Sequence, residues 1–183
     1  MRRLTVLGLI GLVLTFFNLA VSGPHKYVGS AKCKTCHMTP KSGEAYPIWQ
    51  KTKHAKAYET LASDESKKIA SSMGISDPQK SDKCLSCHIT GHGVPDSLKE
   101  ATLTNAEGVG CEACHGPGSD YKAMTVMKDR QKAIAAGLLI PNEKTCLSCH
   151  NEKSPTYKPF KYQEMLKKIA HPIPKAAAEE KKG

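Results

Sequence analysis

Apolar and polar positions are spread unevenly along this chain. The longest apolar run, Leu4 to Ala20, follows Met1-Arg2-Arg3 and ends near the small residues of Ala20-Val21-Ser22. A short basic start, an apolar stretch and a small-residue site together predict a secretory signal peptide cleaved after Ser22. The run lies at the low end of membrane-spanning length, so an uncleaved anchor is the competing reading. No cysteine lies near the cleavage site, which leaves a lipoprotein anchor unsupported.

Downstream, helical periodicity is intermittent. Glu44 to Leu61 reads as a helix, with Pro47 in its first turn and His54, Tyr58 and Leu61 on one face. Ser63 caps a second helix to about Ser72, stopped by Gly74. Asp77-Pro78 to Lys83 is a polar connector, and Gly91 to Gly110 is a glycine-punctuated loop. Ser119 caps a third helix ending at Gly137, and a fourth runs from Phe160 to Ala170 before Pro172 and Pro174. The expected fold is mainly α with long loops and little or no sheet. Residues 1–22 form the leader, 23–175 one domain, and 176–183 a charged tail that reads as disordered. The mature chain, about 160 residues, is one domain's worth.

Composition says what that domain lacks. Phe and Trp total four, and mean hydropathy is −0.42, too little apolar material for a large side-chain core. All eight cysteines are instead spent on one motif. Cys33-Lys-Thr-Cys36-His37, Cys84-Leu-Ser-Cys87-His88, Cys111-Glu-Ala-Cys114-His115 and Cys146-Leu-Ser-Cys149-His150 are four copies of Cys-x-x-Cys-His. Two thiols at this spacing reach the two vinyl groups of one haem, and the adjacent imidazole becomes the proximal iron ligand. A zinc site explains the thiols but not a trailing histidine four times over. A thioredoxin-type pair needs one copy, and a disulfide framework has no use for the histidines. The pattern therefore predicts a tetrahaem cytochrome whose porphyrins form much of the core, a compact wrapping of helices and loops around four closely packed covalent haem c groups. Thioether attachment outside the cytoplasmic membrane agrees with export, and places the protein in the periplasm or at the outer surface. The motifs are unevenly spaced, the second and third only 27 residues apart, which is not a solenoid pattern.

The haems also change the meaning of the charge. The formal +10 falls to +8 once Arg2 and Arg3 leave with the signal peptide. Two propionates per haem offset most of the remainder, so many lysines balance cofactor charge. An exported chain without an aromatic-basic motif is not a nucleic-acid binder.

Four histidines remain as candidate distal ligands: His25, His54, His92 and His171. Met124 and Met127 could also coordinate, at a higher potential than a second histidine.

Three stretches carry a wider resemblance: Trp49-Gln-Lys-Thr-Lys-His54-Ala-Lys-Ala, Gly108-Val-Gly-Cys111-Glu-Ala-Cys114-His115-Gly-Pro-Gly118, and Phe160-Lys-Tyr-Gln-Glu-Met-Leu-Lys-Lys-Ile-Ala-His171. From about Tyr27 to His171 the chain resembles the tetrahaem cytochrome c-554 family, whose type member accepts electrons from hydroxylamine oxidation. The resemblance implies haems in stacked, closely spaced pairs. It implies His54 as distal ligand of the third haem, carried by His115, and His171 as distal ligand of the fourth, carried by His150. Two departures stand out. The family's first haem takes a distal histidine after Gly-Pro-Gly, but residues 119–137 here contain none, so Met124 or Met127 replaces it, with His25 as competitor. The family's second haem has no distal protein ligand, and here His92 stands where the type member has an aromatic residue. His92 lies only four residues past His88, too near to reach the far face of its own haem easily, and it could serve another haem, a propionate or simply the loop.

The leading functional expectation is electron transfer between protein partners, a membrane-associated quinol oxidoreductase or outer-surface cytochromes among them. No carboxylate pair, nucleophile–base motif or phosphate loop points elsewhere. One alternative is redox chemistry on nitric oxide, nitrite or hydroxylamine at an open second haem, with His92 and Lys83 nearby. Another is a conducting filament in which His25 ligates a haem of the next subunit.

Overall fold

The computed structural model describes residues 23–172, so the leader and the charged tail lie outside the described residues. Ten short helices follow one another: α1 (Ser30–Lys34), α2 (Ala45–Gln50), α3 (Ala57–Thr60), α4 (Asp64–Ser72), α5 (Asp82–His88), α6 (Cys111–His115), α7 (Met124–Met127), α8 (Arg130–Ala135), α9 (Glu143–Leu147) and α10 (Tyr162–Ile169). Extended pairing among the described residues is a single parallel bridge between Tyr27 and Lys99. The expected mainly helical, nearly sheet-free fold is what forms. No helix among the described residues is long and apolar enough to cross a membrane.

α4 matches expectation closely. Ser63 caps it by accepting the Ser66 N–H at 3.2 Å, and Gly74 follows the helix at φ +69°. The long helix expected over Glu44–Leu61 is instead broken into α2, a 3-10 turn at His54–Lys56, and α3. Contacts distant in sequence cause the break. Trp49 Nε1 donates to the Val109 carbonyl at 2.8 Å, and the Val109 N–H donates to the His54 carbonyl at 2.9 Å. The Thr52 hydroxyl caps the Trp49 carbonyl at 2.7 Å. The helix expected over Ser119–Gly137 also splits, because Asp129 accepts the Lys132 N–H at 3.0 Å and starts α8 as a new helix. Ser119, expected as its cap, turns to the N-terminal segment and accepts the Lys26 N–H at 2.9 Å. The fourth helix forms within its expected limits as α10. The loop from Gly91 to Gly110 carries 3-10 turns at Asp96–Leu98 and Asn105–Glu107.

Side chains build only small buried clusters. Val28, Leu61, Ala70, Tyr121 and Ala133 are the buried apolar residues, with Ser30, Thr90 and Glu112 buried among polar ones. Glu112 is 1 % exposed and fully satisfied. It accepts the N–H groups of Val28 (2.9 and 3.0 Å, one to each oxygen), Gly29 (2.7 Å) and Gly118 (2.6 Å). A carboxylate in the middle of the third motif thereby fastens residues 28–29 to α6.

Candidate functional site

Each Cys-x-x-Cys-His motif winds into a short helix or its last turn: α1 with the turn after it, α5, α6, and α9 with the turn after it. One helical turn puts both thiols on the same side and the imidazole just beyond them. None of the eight thiols is joined in a disulfide. Burial pushes the Cys114 thiol up to about 11 and raises Cys146 and Cys149 as well. Such surroundings disfavour the thiolates that zinc requires and suit neutral thioethers. No cluster of three or more His, Cys, Asp or Glu side chains arranged for a metal ion occurs among the described residues.

The histidines are set for iron ligation. His88 Nδ1 lies 2.7 Å from the Ala57 carbonyl, and His115 Nδ1 lies 3.2 Å from the Leu139 carbonyl. With Nδ1–H donating to a carbonyl, Nε2 is left as the metal-facing lone pair. Burial lowers the pKa of His37, His54, His115 and His150, holding them in the neutral form a metal needs.

Two histidine pairs have the separation expected of axial ligands on one iron. His54 and His150 have ring centroids 5.9 Å apart, and His115 and His171 have theirs 6.0 Å apart. Two imidazoles on opposite sides of one metal, each with a metal–nitrogen bond of about 2 Å, place ring centres roughly 6 Å apart. The partners are exchanged relative to the resemblance, which implied His54 with His115 and His171 with His150. Phe160 supplies the reason. Its ring stacks on His150 at 4.8 Å. From Phe160 the chain runs mainly as α10, and eleven residues at ~1.5 Å of rise carry His171 about 16 Å onward. That reach brings it beside His115 and within the electrostatic influence of His37.

The other distal candidates are placed differently. His25 Nδ1 bonds Asp120 Oδ2 at 2.7 Å, and a side chain at Gly137 would meet its ring, with Nε2 2.9 Å away. His92 Nε2 lies 3.6 Å from Asp82 Oδ1, turned back to the start of its own motif's helix. Met124 is 58 % exposed, and Met127 is half-buried on the same single turn. Lys83 is exposed. None of these residues forms a ring pair with a proximal histidine among the described residues, whereas His171, besides pairing with His115, lies near enough to His37 to lower its pKa.

The motifs touch in an order the sequence does not follow. Cys33 and Cys111 lie near enough to influence each other's ionisation, and Cys87 lies near enough to influence that of Cys149. Cys149 Sγ also lies 4.0 Å from the Ser86 carbonyl. Cys114 is close enough to Cys146 and Cys149 to feel their charge. The spatial order is first, third, fourth, second.

Sequence reasoning missed the acidic side chains behind the third motif. Glu112 is the only acidic residue between the cysteines of any motif, a signal that could have marked it. Glu107 gave no local signal: its role appears only with Ser30 beside it, the Ser30 N–H donating at 2.9 Å and its hydroxyl at 3.1 Å.

Four Cys-x-x-Cys-His turns, buried histidines held neutral and imidazoles paired across a metal-sized gap define a c-type cytochrome, an electron-transfer protein with covalently attached haem c. The comparisons agree. A family model described as "Cytochrome c554 and c-prime" matches residues 32–116. Cytochrome c-554 of Nitrosomonas europaea is 31 % identical over 187 aligned residues, covering 83 % of this chain and 76 % of the relative. No solved structure matches. The chain belongs to the cytochrome c-554 family.

Proposed function

We propose that this protein is an exported tetrahaem cytochrome, working in the periplasm or at the outer surface. It carries electrons between two redox protein partners through four haems in the spatial order first, third, fourth, second. The nearness of Cys33 to Cys111, and of Cys87 to Cys149, carries this reading. When bound, haem c supplies a one-electron Fe(III)/Fe(II) couple and a conjugated edge for tunnelling. The four cysteine pairs hold it covalently, and His37, His88, His115 and His150 give each iron its proximal ligand. His54 and His171 cap the fourth-motif and third-motif irons, which keeps those two sites closed to small molecules and at low potential. Neighbouring motif sulfurs would hold the bound haems close to one another, making the chain a short wire with partner-facing ends at the first and second motifs.

A second reading, redox chemistry on a small nitrogen oxide, rests on His88. Its Nδ1 is held by Ala57, and no histidine ring lies opposite among the described residues. The filament alternative finds no such support, because His25 is tied to Asp120 of its own chain.

Intact-mass measurement of the exported holoprotein should read four haems per chain. Low-temperature EPR of the ferric form, before and after nitric oxide, separates the two readings. Low-spin signals indifferent to nitric oxide are the result expected for a wire alone. A high-spin signal lost on addition would bring small-molecule turnover forward, and fewer than four haems would sink the tetrahaem reading.

A further inference from the structure

Behind the first and third motifs lie two carboxylates with no cation between them. Neither Glu107 nor Glu112 forms an ion pair with a lysine or arginine among the described residues, although basic side chains outnumber acidic ones in the chain. Their hydrogen bonding is unequal. Glu112 accepts three backbone N–H groups, those of Val28, Gly29 and Gly118. Glu107 has one backbone donor, Ser30, and the Ser30 hydroxyl. The same hydroxyl accepts the Cys111 N–H at 3.1 Å, so Ser30 joins the Glu107 carboxylate to the backbone of the third motif. A side chain at Gly110 would overlap both the carboxylate and Ser30 Oγ, so this glycine makes the notch that lets Glu107 approach. Cys33 and Cys111, the sulfurs that join the first and third motifs, both feel the Glu107 charge.

We propose that Glu107 is the proton-accepting residue coupled to electron arrival at the first-motif and third-motif haems. The inference rests on the multihaem reading above. The step balances simply: one electron from the redox partner converts Fe(III) to Fe(II), and one proton from solvent converts the Glu107 carboxylate to the carboxylic acid. Net charge around the pair is unchanged by the combined event. Glu107 is only partly buried, so solvent protons can reach it.

The sign follows from the surroundings. Burial raises the Glu107 pKa and the Glu112 charge raises it further, while hydrogen bonding from Ser30, and to a lesser extent from Thr90, opposes both. The groups facing it are Cys33 from α1, Tyr46 from α2, and Cys111 and Glu112 from α6, with Lys32 and Lys34 exposed on α1. The packed segment 54–60 adds His54 and the Lys56–Glu59 pair at 3.7 Å. In the loaded protein both sulfurs would be thioethers, and among the described side chains facing this pair Glu107 is the carboxyl whose pKa is raised. As a general scale, one added electron at about 10 Å and an effective dielectric of about 20 raises a carboxylate's proton affinity roughly tenfold. Protonation in turn favours the reduced haem, so the potential is highest at acid pH and falls as pH rises above the ordinary glutamate range.

Spectroelectrochemical titration of the haem-loaded full chain at a series of pH values tests this. In the wild type, at least one haem should lose about tenfold in its reduction equilibrium, ~59 mV for a one-electron couple, across the Glu107 window. E107Q mimics the protonated acid, so it should hold the acid-limit potential at every pH, whereas E107D should restore the slope. A wild type without pH dependence, or an E107Q protein that titrates like wild type, overturns the proposal. If E107Q does not load haem, redox-difference infrared spectra of the wild type decide instead. A protonated-carboxyl stretch that grows on reduction and shifts in D2O is expected, and its absence overturns the assignment. Haem counted by pyridine haemochrome in the same samples separates failure of this inference from failure of the tetrahaem reading.

Discussion

Glu112 sits between two cysteines, the one acidic residue in any of the four motif spacers, but nothing local says what it binds. In the fold it is 1 % exposed and its two oxygens receive the N–H groups of Val28, Gly29 and Gly118. Removing the carboxylate strands three buried donors, each at about 1–3 kcal/mol. E112A should therefore unfold several kcal/mol more easily than wild type and load less haem at the third motif. E112Q keeps one acceptor oxygen and should lose less, by thermal unfolding of the holoprotein. Equal stability of all three proteins would show that the N-terminal segment is held by something else. Gly108 belongs to the same scale. Its φ of +64° and the His54 carbonyl 2.6 Å from where a Cβ would stand leave room for glycine alone, which lets the loop lie against the segment bearing His54.

Helices of four to nine residues cannot persist on their own, so caps and docking decide where they begin and end. Asn142 caps α9, its side chain accepting from the Lys144 N–H at 2.9 Å and the Thr145 N–H at 3.4 Å, while Thr145 Oγ1 receives the Asn142 N–H at 3.2 Å. That box presents Cys146 one turn in. N142A should cost about 1 kcal/mol of stability, measured by denaturant unfolding. An unchanged midpoint would mean that haem attachment alone holds α9. Capping of this kind was legible in the sequence at Ser63 and led to the right helix there. It misled at Ser119, because the Lys26 N–H competes for that hydroxyl and Asp129 offers a second start ten residues on. The break inside 44–61 was not legible, since its cause, Val109, lies far along the chain.

Across the whole molecule, the proposed ligation turns on which histidine rings the fold brings together. His54 faces His150, with Phe160 stacked on the same ring, while His171 faces His115. H54M and H171M should each abolish a different low-spin bis-histidine EPR signal. F160A should shift the signal that H54M removes and leave the one that H171M removes. If F160A instead moves the H171M signal, the pairing implied by the resemblance is restored and the exchanged one fails. The order first, third, fourth, second belongs to this scale too, because it arises from contacts between helices well separated in sequence.

The sequence by itself determined the attachment chemistry. Two thiols and an imidazole within five residues are a local device, and a helical turn brings them together whatever the rest of the chain does. It also determined the helical class, because apolar residues are too few for a sheet-based core. Tertiary structure decided the partners: which distal histidine meets which motif, which motifs adjoin, and which carboxylates lie behind them. Each of those depends on distances between segments thirty or more residues apart, and on bonds such as Val109 to His54 and Ser30 to Glu107 that no local pattern encodes.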